Sequence, residues 1–270
     1  MSVKERADVA LVRRGLAESR EKAQAQIMAG LVFAGLRKIA KASDTVGDEE
    51  ALTVRGNANP YVSRGGLKLQ KALDAFSANV NGAVAMDIGA ATGGFTDVLL
   101  KRGAAHVYAI DVGYGQLDWE LRNSPRVTVM ERTNARYLNP EQFDKKPTLT
   151  VMDVSFISIR LILPVAAGLM GESGRFFTLI KPQFEAGKDR VGKKGVVRDP
   201  EVHEAVLEDI VDFAPSFGYS VLGLTFSPIT GPEGNIEFLA HIASGKSHTS
   251  EISKENIKKI VDEAHFALKK

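Results

Sequence analysis

The sequence predicts a doubly wound α/β domain behind a small α+β unit. From Leu67 onward, helical and strand-like apolar runs alternate, as they do in sheets whose parallel strands are joined by helices. Before that alternation begins, residues 56–63 form a polar stretch containing glycine and proline, GNANPYVS. Such a composition is typical of a linker, so we predict two domains, residues 1–60 and 61–270.

The first domain is predicted to contain two helices followed by short strands. Residues 5–32 carry apolar residues at helical spacing, with Ser19 as the N-cap of the second helix and Gly15 and Gly30 at the helix ends. The runs LVFAGLRKI and ALTV are predicted as strands around an acidic turn, SDTVGDEE. Residues 1–41 hold nine Lys or Arg against four Asp or Glu, which fits either RNA contact or a solvated face.

The second domain is predicted to contain helices at LKLQKALDAF, GFTDVLLKRG, 159–169, 200–217 and 249–269. The predicted strands are VAMDIGA, HVYAIDV, RVTVM, LTVMDVSF, RFFTLIK, SVLGLTFS and NIEFLAHI. Only the turn PITGPEG separates the last two strands, so we expect them to pair antiparallel.

Composition excludes several classes of protein. The 270 residues include no cysteine, which rules out disulfides, thiolate zinc sites and thiol nucleophiles. No HExxH-type pair or acidic loop predicts a metal, and the net charge of +2 says little about partners. No signal-like or membrane-spanning apolar stretch stands out. We therefore expect a soluble, cytoplasmic protein without metal or membrane partners.

A glycine-rich turn follows the first strand of the second domain. Dinucleotide sites favour GxGxxG, but GAATGGFTD has Ala91 in place of the second glycine, which disfavours NAD. Asp87 suits the amino group of a methionine moiety and Asp111 a ribose diol, so the turn predicts S-adenosylmethionine. The candidate cofactor-binding residues are Asp87, Gly89, Ala91, Thr92, Gly93, Gly94, Phe95, Asp111, Thr133 and Asn134, the last two being either adenine contacts or parts of a surface loop.

Four charged residues are predicted at the edge where ligands bind such sheets. Lys68 precedes the first strand, whereas Asp153 and Lys181 end the fourth and fifth. Glu237 is predicted inside the last strand. Any one of the four residues, taken alone, could be an ordinary surface charge. Methyl transfer to a hydroxyl needs a base or a group that stabilises the emerging oxyanion, and we assign that role to Lys181.

These four residues match the Lys-Asp-Lys-Glu tetrad of the FtsJ-like ribose 2′-O-methyltransferases. The string RGLAESREKAQAQIMAGLVFAG resembles the S4 RNA-binding domain, although Ala34-Gly35 replaces the usual Asn-Gly turn. With VSRGGLKL, GAATGGFTD, DVGYGQL, ERTNAR, DVSFIS, KPQFE, GVVRDP and GPEGNIE, the chain resembles the TlyA, or hemolysin A, family. Family members often carry Ser at the position of Ala91. The resemblance implies a Rossmann-like methyltransferase sheet and 2′-O-methylation of cytidines in ribosomal RNA.

The resemblance also implies where RNA would bind. Phe156 either stacks on a flipped base or packs in the core. The basic segment EAGKDRVGKKGVVRDP is either a mobile lid that grips phosphates or an ordinary surface loop. The candidate RNA-binding residues are Arg6, Arg13, Arg14, Arg20, Lys22, Phe156, Lys188, Arg190, Lys193 and Lys194.

Two other functions compete with the enzyme. A noncatalytic RNA-binding protein of this fold would be expected to have lost part of the tetrad, yet all four positions are filled. A membrane-active toxin, which the hemolysin name suggests, would need an insertion element that the sequence does not display. We therefore expect a methyltransferase that acts on ribosomal RNA or on ribosomal subunits. The sequence does not fix the oligomeric state, and a monomer is favoured.

Overall fold

The computed structural model describes residues 4–54, 59–171, 174–244 and 252–268. The chain divides into two compact units, residues 1–60 and 61–270. Residues 56–58 of the predicted linker, and residues 249–251 and 269 of the predicted final helix, lie outside the described residues.

The small unit combines two helices with two small antiparallel sheets. Its elements are β1 (Lys4–Arg6), α1 (Ala7–Arg13), α2 (Arg20–Met28), β2 (Val32–Ala34), β3 (Arg37–Lys38), β4 (Thr45–Gly47) and β5 (Leu52–Val54). Strand β2 lies between β3 and β5, while β1 pairs with β4. Ser19 caps α2 as predicted, because its hydroxyl accepts a hydrogen bond from Lys22 N at 3.2 Å.

Two predictions for the small unit are wrong. The first helix was expected to begin at residue 5, but Lys4–Arg6 form a strand and α1 begins at Ala7. The acidic turn also contains β4, where Val46 is buried. Both strands are three residues long and pair with each other across about forty residues of chain, so neither carries a periodic apolar signal of its own.

The large unit is built on one seven-stranded sheet. Its strands are β6 (Val84–Ile88), β7 (His106–Ile110), β8 (Val127–Met130), β9 (Leu149–Met152), β10 (Arg175–Ile180), β11 (Tyr219–Phe226) and β12 (Phe238–Ser244). Its α-helices are α3 (Gly65–Ala75), α4 (Gly94–Lys101), α5 (Trp119–Arg122), α6 (Leu163–Met170), α7 (Pro182–Glu185), α8 (Pro200–Phe213) and α9 (Lys254–Ala267).

The strand order is β11-β12-β10-β9-β6-β7-β8, and β12 is antiparallel to both of its neighbours. The other pairs are parallel, so the predicted doubly wound sheet with an antiparallel last strand is confirmed. Apolar side chains cover both faces, with α3 and α4 on one side and α6, α8 and α9 on the other.

The strand order reverses between β6 and β9. From β6 the chain runs outward through β7 and β8, and it then returns to β9 on the other side of β6. Open α/β sheets bind their ligands at the carboxyl ends of the strands beside such a reversal. Gly89 follows β6 and Asp153 follows β9 at this edge.

Several boundaries differ from the prediction, and two of these differences lie beside a proline. The apolar helix expected at 159–169 is a 3₁₀ turn, Ile159–Leu161, followed by α6, whose first turn contains Pro164. The long helix ends in a 3₁₀ turn at Ala214–Phe217, where Pro215 has no N–H to donate. Glu237 directly precedes β12 instead of lying inside it. Among the described residues, no helix is long and apolar enough to cross a membrane.

Candidate active site

The four charged residues of the predicted tetrad lie in one continuous chain of ion pairs. Lys68 Nζ is 2.6 Å from Glu237 Oε2 and 3.6 Å from Asp153 Oδ2. The other oxygen of Asp153 is 2.6 Å from Lys181 Nζ. The two cations and two carboxylates balance each other, and the side chains of Lys68 and Lys181 are each only 10% exposed.

Each member of this chain comes from a different element of the large unit. Lys68 lies on α3, Asp153 follows β9, Lys181 is the N-cap of α7 after β10, and Glu237 precedes β12. Burying ion pairs costs desolvation that their attraction repays only in good geometry, so such a cluster is weak evidence for stability. Its position at the edge of the sheet where ligands bind favours a chemical role.

Lys181 has a further polar partner that the sequence reasoning missed. Its Nζ donates a hydrogen bond to Ser155 Oγ at 2.9 Å, and Ser155 is exposed. The cluster therefore runs from the buried Glu237 outward to Ser155, and Lys181 is the lysine at the outer end. This arrangement can bring an ammonium or amine group to a hydroxyl at the carboxyl edge of the sheet.

Asp87 is a fully buried carboxylate next to the glycine-rich turn. One of its oxygens accepts a hydrogen bond from Thr96 Oγ1 at 2.6 Å. The other, Oδ1, is buried without a hydrogen-bond partner among the described residues. Burial raises the pKa of Asp87 to about 7, the Thr96 hydroxyl opposes that shift, and Asp153 and Asp111 add to it. The orphaned acceptor fits a ligand that carries an ammonium group.

The glycines of the turn fit closely against protein atoms. A Cβ at Gly89 would lie 2.5 Å from the Asp153 carbonyl oxygen, and one at Gly93 would lie 2.3 Å from Leu121 Cδ1. Gly93 also adopts φ +93°, a conformation that L side chains rarely adopt, immediately before α4. Close packing and the left-handed backbone conformation therefore account for these glycines without a ligand.

Asp111 joins the turn after β6 to the loop after β7. Its Oδ2 accepts a hydrogen bond from Ala91 N at 2.9 Å and its Oδ1 accepts one from Gly113 N at 2.7 Å. Ala91 adopts φ +45° and is exposed beside Thr92. The carboxylate thus holds the exposed turn in place, and each oxygen keeps a further lone pair for a ligand hydroxyl.

The structure places three other cofactor candidates in different settings. Asn134 caps the 3₁₀ turn Ala135–Tyr137 through Oδ1, and Thr133 Oγ1 donates to the Glu131 carbonyl. Phe95 is 3% exposed and packs in the core between α3, α4 and the sheet. Any contact between Phe95 and a cofactor would therefore have to come from its backbone.

Phe156 lies on the surface, not in the core. It is 91% exposed, adopts φ +65°, and its ring centroid is 5.2 Å from that of Phe184. A non-glycine residue in this backbone region is held there by its surroundings. The two rings line a groove of about 670 Å³ that also contains Gln183, Arg136 and Lys188.

Glu185 fixes the two walls of this groove to each other. It is 6% exposed, accepts from Ser158 Oγ at 2.6 Å and from Ile159 N at 2.8 Å, and lies 3.6 Å from Arg160 Nε. Burial raises the pKa of this carboxyl, and the hydrogen bond from Ser158 opposes the rise. The motif KPQFE does not by itself indicate a role for Glu185, because its partners Ser158 and Ile159 lie about twenty-six residues away in the sequence.

The cations predicted to bind RNA fall into two groups. Lys188, Arg190, Lys193 and Lys194 are exposed on the loop after α7. In the small unit each candidate cation already has a partner. Arg6 and Arg20 pair with the buried Asp8, Arg13 with Glu5 and Asp48, and Lys22 with Glu18, while Arg14 donates to the carbonyl oxygens of Gly47 and Glu50.

Comparison with known proteins identifies relatives over the whole chain. The family described as FtsJ-like methyltransferase matches residues 61–243. YqxC of Bacillus subtilis, described as an rRNA methyltransferase, is 52% identical over 99% of this chain and 96% of its own. TlyA of Mycobacterium tuberculosis, named a 16S/23S rRNA (cytidine-2′-O)-methyltransferase, is 47% identical over 88% of this chain and 89% of its own.

A solved structure extends the match to three dimensions. It comes from Streptococcus thermophilus and is described as a hemolysin. It covers 100% of this chain and 98% of its own, at 46% sequence identity and a TM-score of 0.79.

Proposed function

Because this chain belongs to the FtsJ-like methyltransferase family, we propose that it methylates the 2′-hydroxyl of a cytidine ribose in ribosomal RNA, using S-adenosylmethionine. The observation that carries the proposal is the chain of ion pairs Glu237–Lys68–Asp153–Lys181 at the carboxyl edge of the sheet. The names of two relatives indicate the substrate, since both refer to rRNA and one to cytidine 2′-O-methylation.

Asp87 and Asp111 are the residues proposed to hold the cofactor, together with the turn from Gly89 to Gly94. The orphaned Oδ1 of Asp87 would accept hydrogen bonds from the amino group of the methionine moiety. Asp111 would accept from the ribose hydroxyls while keeping its two backbone hydrogen bonds. When bound, the cofactor supplies the methyl group on a positively charged sulfur.

Lys181 is proposed to act on the attacking oxygen. A ribose hydroxyl becomes a useful nucleophile only as its proton leaves, so a positioned base or a cation beside the emerging oxyanion speeds the reaction. Asp153 holds Lys181 on one side and Ser155 contacts it on the other. Glu237 holds Lys68, and Lys68 in turn pairs with Asp153, so that Lys181 keeps one orientation.

RNA would be held by the aromatic groove and by basic surfaces. Phe156, exposed beside Phe184, offers a face on which a flipped base could stack, and the loop carrying Lys193 and Lys194 offers positive charge to phosphates. The small unit is proposed to be an S4 RNA-binding domain that docks the substrate. A protein with this substrate is expected in the cytoplasm.

A transfer assay with a matched variant tests the proposal. Wild-type protein should move tritium from methyl-labelled S-adenosylmethionine to ribosomal RNA without added metal, and nuclease digestion should place the label on 2′-O-methylcytidine. Lys181→Ala should bind the cofactor as the wild type does but transfer little label. Label on a base or on protein instead of ribose would contradict the proposal.

A further inference from the structure

The basic loop between α7 and α8 is held at its base by a buried side chain. Residues 187–198 carry exposed Lys193 and Lys194 between Gly192 and Gly195. Within the loop, Gly195 N donates to Gly192 O at 2.8 Å and Gly192 N donates to Val196 O at 3.2 Å. These bonds close a tight turn whose tip presents the two lysines.

Asn235, which is 3% exposed, binds the C-terminal side of that turn. Its Oδ1 accepts a hydrogen bond from Val197 N at 3.0 Å, and its Nδ2 donates to Gly195 O at 2.9 Å. One carboxamide therefore satisfies a backbone donor and a backbone acceptor that would otherwise lack these partners. The hydrogen bond to Val197 N is buried, so leaving that donor unpaired would be costly.

The same asparagine lies in the turn that packs against the tetrad. Its carbonyl oxygen accepts from Gly231 N at 2.9 Å, and a Cβ at Gly231 would lie 2.8 Å from Glu237 Oε1. Glu237 follows two residues later, and its carbonyl oxygen accepts from Ser227 N at 2.8 Å. The turn 231–235 therefore touches the carboxylate of Glu237 on one side and the basic loop on the other.

From these contacts we infer that Asn235 is a positioning residue that sets the basic loop against the tetrad. The inference rests on the proposed function, in which Lys193 and Lys194 meet RNA phosphates. The loop is then fixed at Gly195 and Val197 instead of being freely mobile, so its lysines keep one position relative to the turn that contacts Glu237. RNA bound by the loop would then have its target ribose positioned beside Lys181.

A double-mutant cycle tests this inference on the full-length protein with ribosomal RNA. Asn235→Ala should lower RNA affinity about tenfold, the scale of one buried hydrogen bond. K193A/K194A should lower it through lost phosphate contacts and should flatten its salt dependence by roughly two units. With Asn235→Ala already present, K193A/K194A should have much less effect, because the lysines are no longer held in place.

Two further variants separate positioning from general damage to the fold. Asn235→Asp keeps an acceptor for Val197 N but cannot donate to Gly195 O, so it should give an intermediate loss. Asn139→Ala removes a different asparagine cap, whose Oδ1 accepts from Glu141 N, and should leave RNA affinity unchanged. Affinity for S-adenosylmethionine should stay at the wild-type value in every variant.

The outcomes distinguish this inference from the proposed function. Additive losses, or wild-type RNA affinity and salt dependence in Asn235→Ala, would overturn the positioning role of Asn235 alone. Unchanged RNA affinity in K193A/K194A would overturn the proposed RNA contact of the loop, and the inference would fall with it. A strongly reduced effect of K193A/K194A in the Asn235→Ala background supports the inference.

Discussion

Two lysines share the carboxylates of the tetrad, and their partners differ. Lys68 contacts the carboxylates of both Glu237 and Asp153, whereas Lys181 has one carboxylate and the hydroxyl of Ser155. Lys181 is thus the lysine with the weaker set of anionic partners, and it is the one that contacts the exposed Ser155. Because of this difference, we assign to Lys181 the action on the attacking oxygen. We assign to Lys68 the role of holding Asp153 in place.

The first prediction concerns Lys181. Lys181→Ala should reduce methyl transfer by about two orders of magnitude or more, the scale for losing a positioned acid/base or charge-stabilising group. Lys181→Arg should also fail if the lysine accepts the proton, because a guanidinium stays protonated. Transfer should be measured across pH and normalised to bound cofactor. An active Arg variant would assign charge stabilisation alone to this position.

The second prediction concerns Asp87 in cofactor-free protein. Its pKa is raised to about 7 when folded, above the unfolded value near 3.8. Between these pH values the folded state binds more protons than the unfolded state, so the contribution of Asp87 to stability falls as pH rises from about 4 to about 7. Asp87→Asn should remove this pH-dependent loss of stability, which amounts to a few kcal/mol at most. The same substitution should weaken cofactor binding.

Unfolding by urea at pH 5 and pH 8 measures this effect. The free energy of unfolding of Asp87→Asn minus that of the wild type should be larger at pH 8 than at pH 5. Calorimetry should show that the variant has a reduced affinity for S-adenosylmethionine. A stability difference independent of pH would contradict the raised pKa of Asp87, whereas unchanged affinity would contradict its role in binding.

Among the secondary-structure elements, those with periodic apolar residues could be predicted from the sequence. Short strands that depend on pairing with distant residues could not. The strands of the large sheet were identified from apolar runs, and the placement of Asp153 and Lys181 followed because parallel strands end at one edge. Strands β1 and β4 were missed because three polar or mixed residues carry no period. The sequence did not decide whether Phe156 is buried or exposed, because the end of a strand does not specify the left-handed backbone conformation that exposes this residue.

The third prediction concerns the attachment of α7 to the segment that carries Phe156. Glu185→Ala should remove both hydrogen bonds that fix this segment and should lower kcat/KM for RNA about tenfold or more, on the scale of two buried hydrogen bonds. Glu185→Gln can still accept from Ile159 N, so it should recover much of the activity. Steady-state kinetics with RNA, beside cofactor calorimetry, measures this.

Equal and full activity of both Glu185 variants would contradict this role. A loss of cofactor affinity in parallel with kcat/KM would instead indicate general disorder of the site.

At the scale of the whole molecule, positive charge in the sequence overstates the charge that is free to meet RNA. Arg14 has a side chain only 19% exposed and donates to two carbonyl oxygens, whereas Lys22 is 62% exposed and pairs with an exposed glutamate. Composition counts both as equal cations. Only the structure separates a cation that holds the small unit together from one whose exposed ion pair can exchange for a phosphate at little cost.

The fourth prediction follows from this difference. R13A/K22A should reduce RNA affinity and lower the slope of its logarithm against that of salt concentration by roughly two units. Arg14→Ala should chiefly destabilise the small unit, because the carbonyls of Gly47 and Glu50 lose their donor. Salt titrations of RNA binding and thermal unfolding measure the two effects. An unchanged slope in R13A/K22A would mean that this unit does not anchor RNA.

Mapping of ribose methylation on cellular ribosomal RNA measures whether this protein methylates ribose in the cell. Mass spectrometry should compare cells that contain the protein, cells that lack it, and cells that contain only the Lys181→Ala variant. The account predicts 2′-O-methylcytidine at a defined position in the first cells and its absence from the other two. Identical ribose methylation in all three would contradict it.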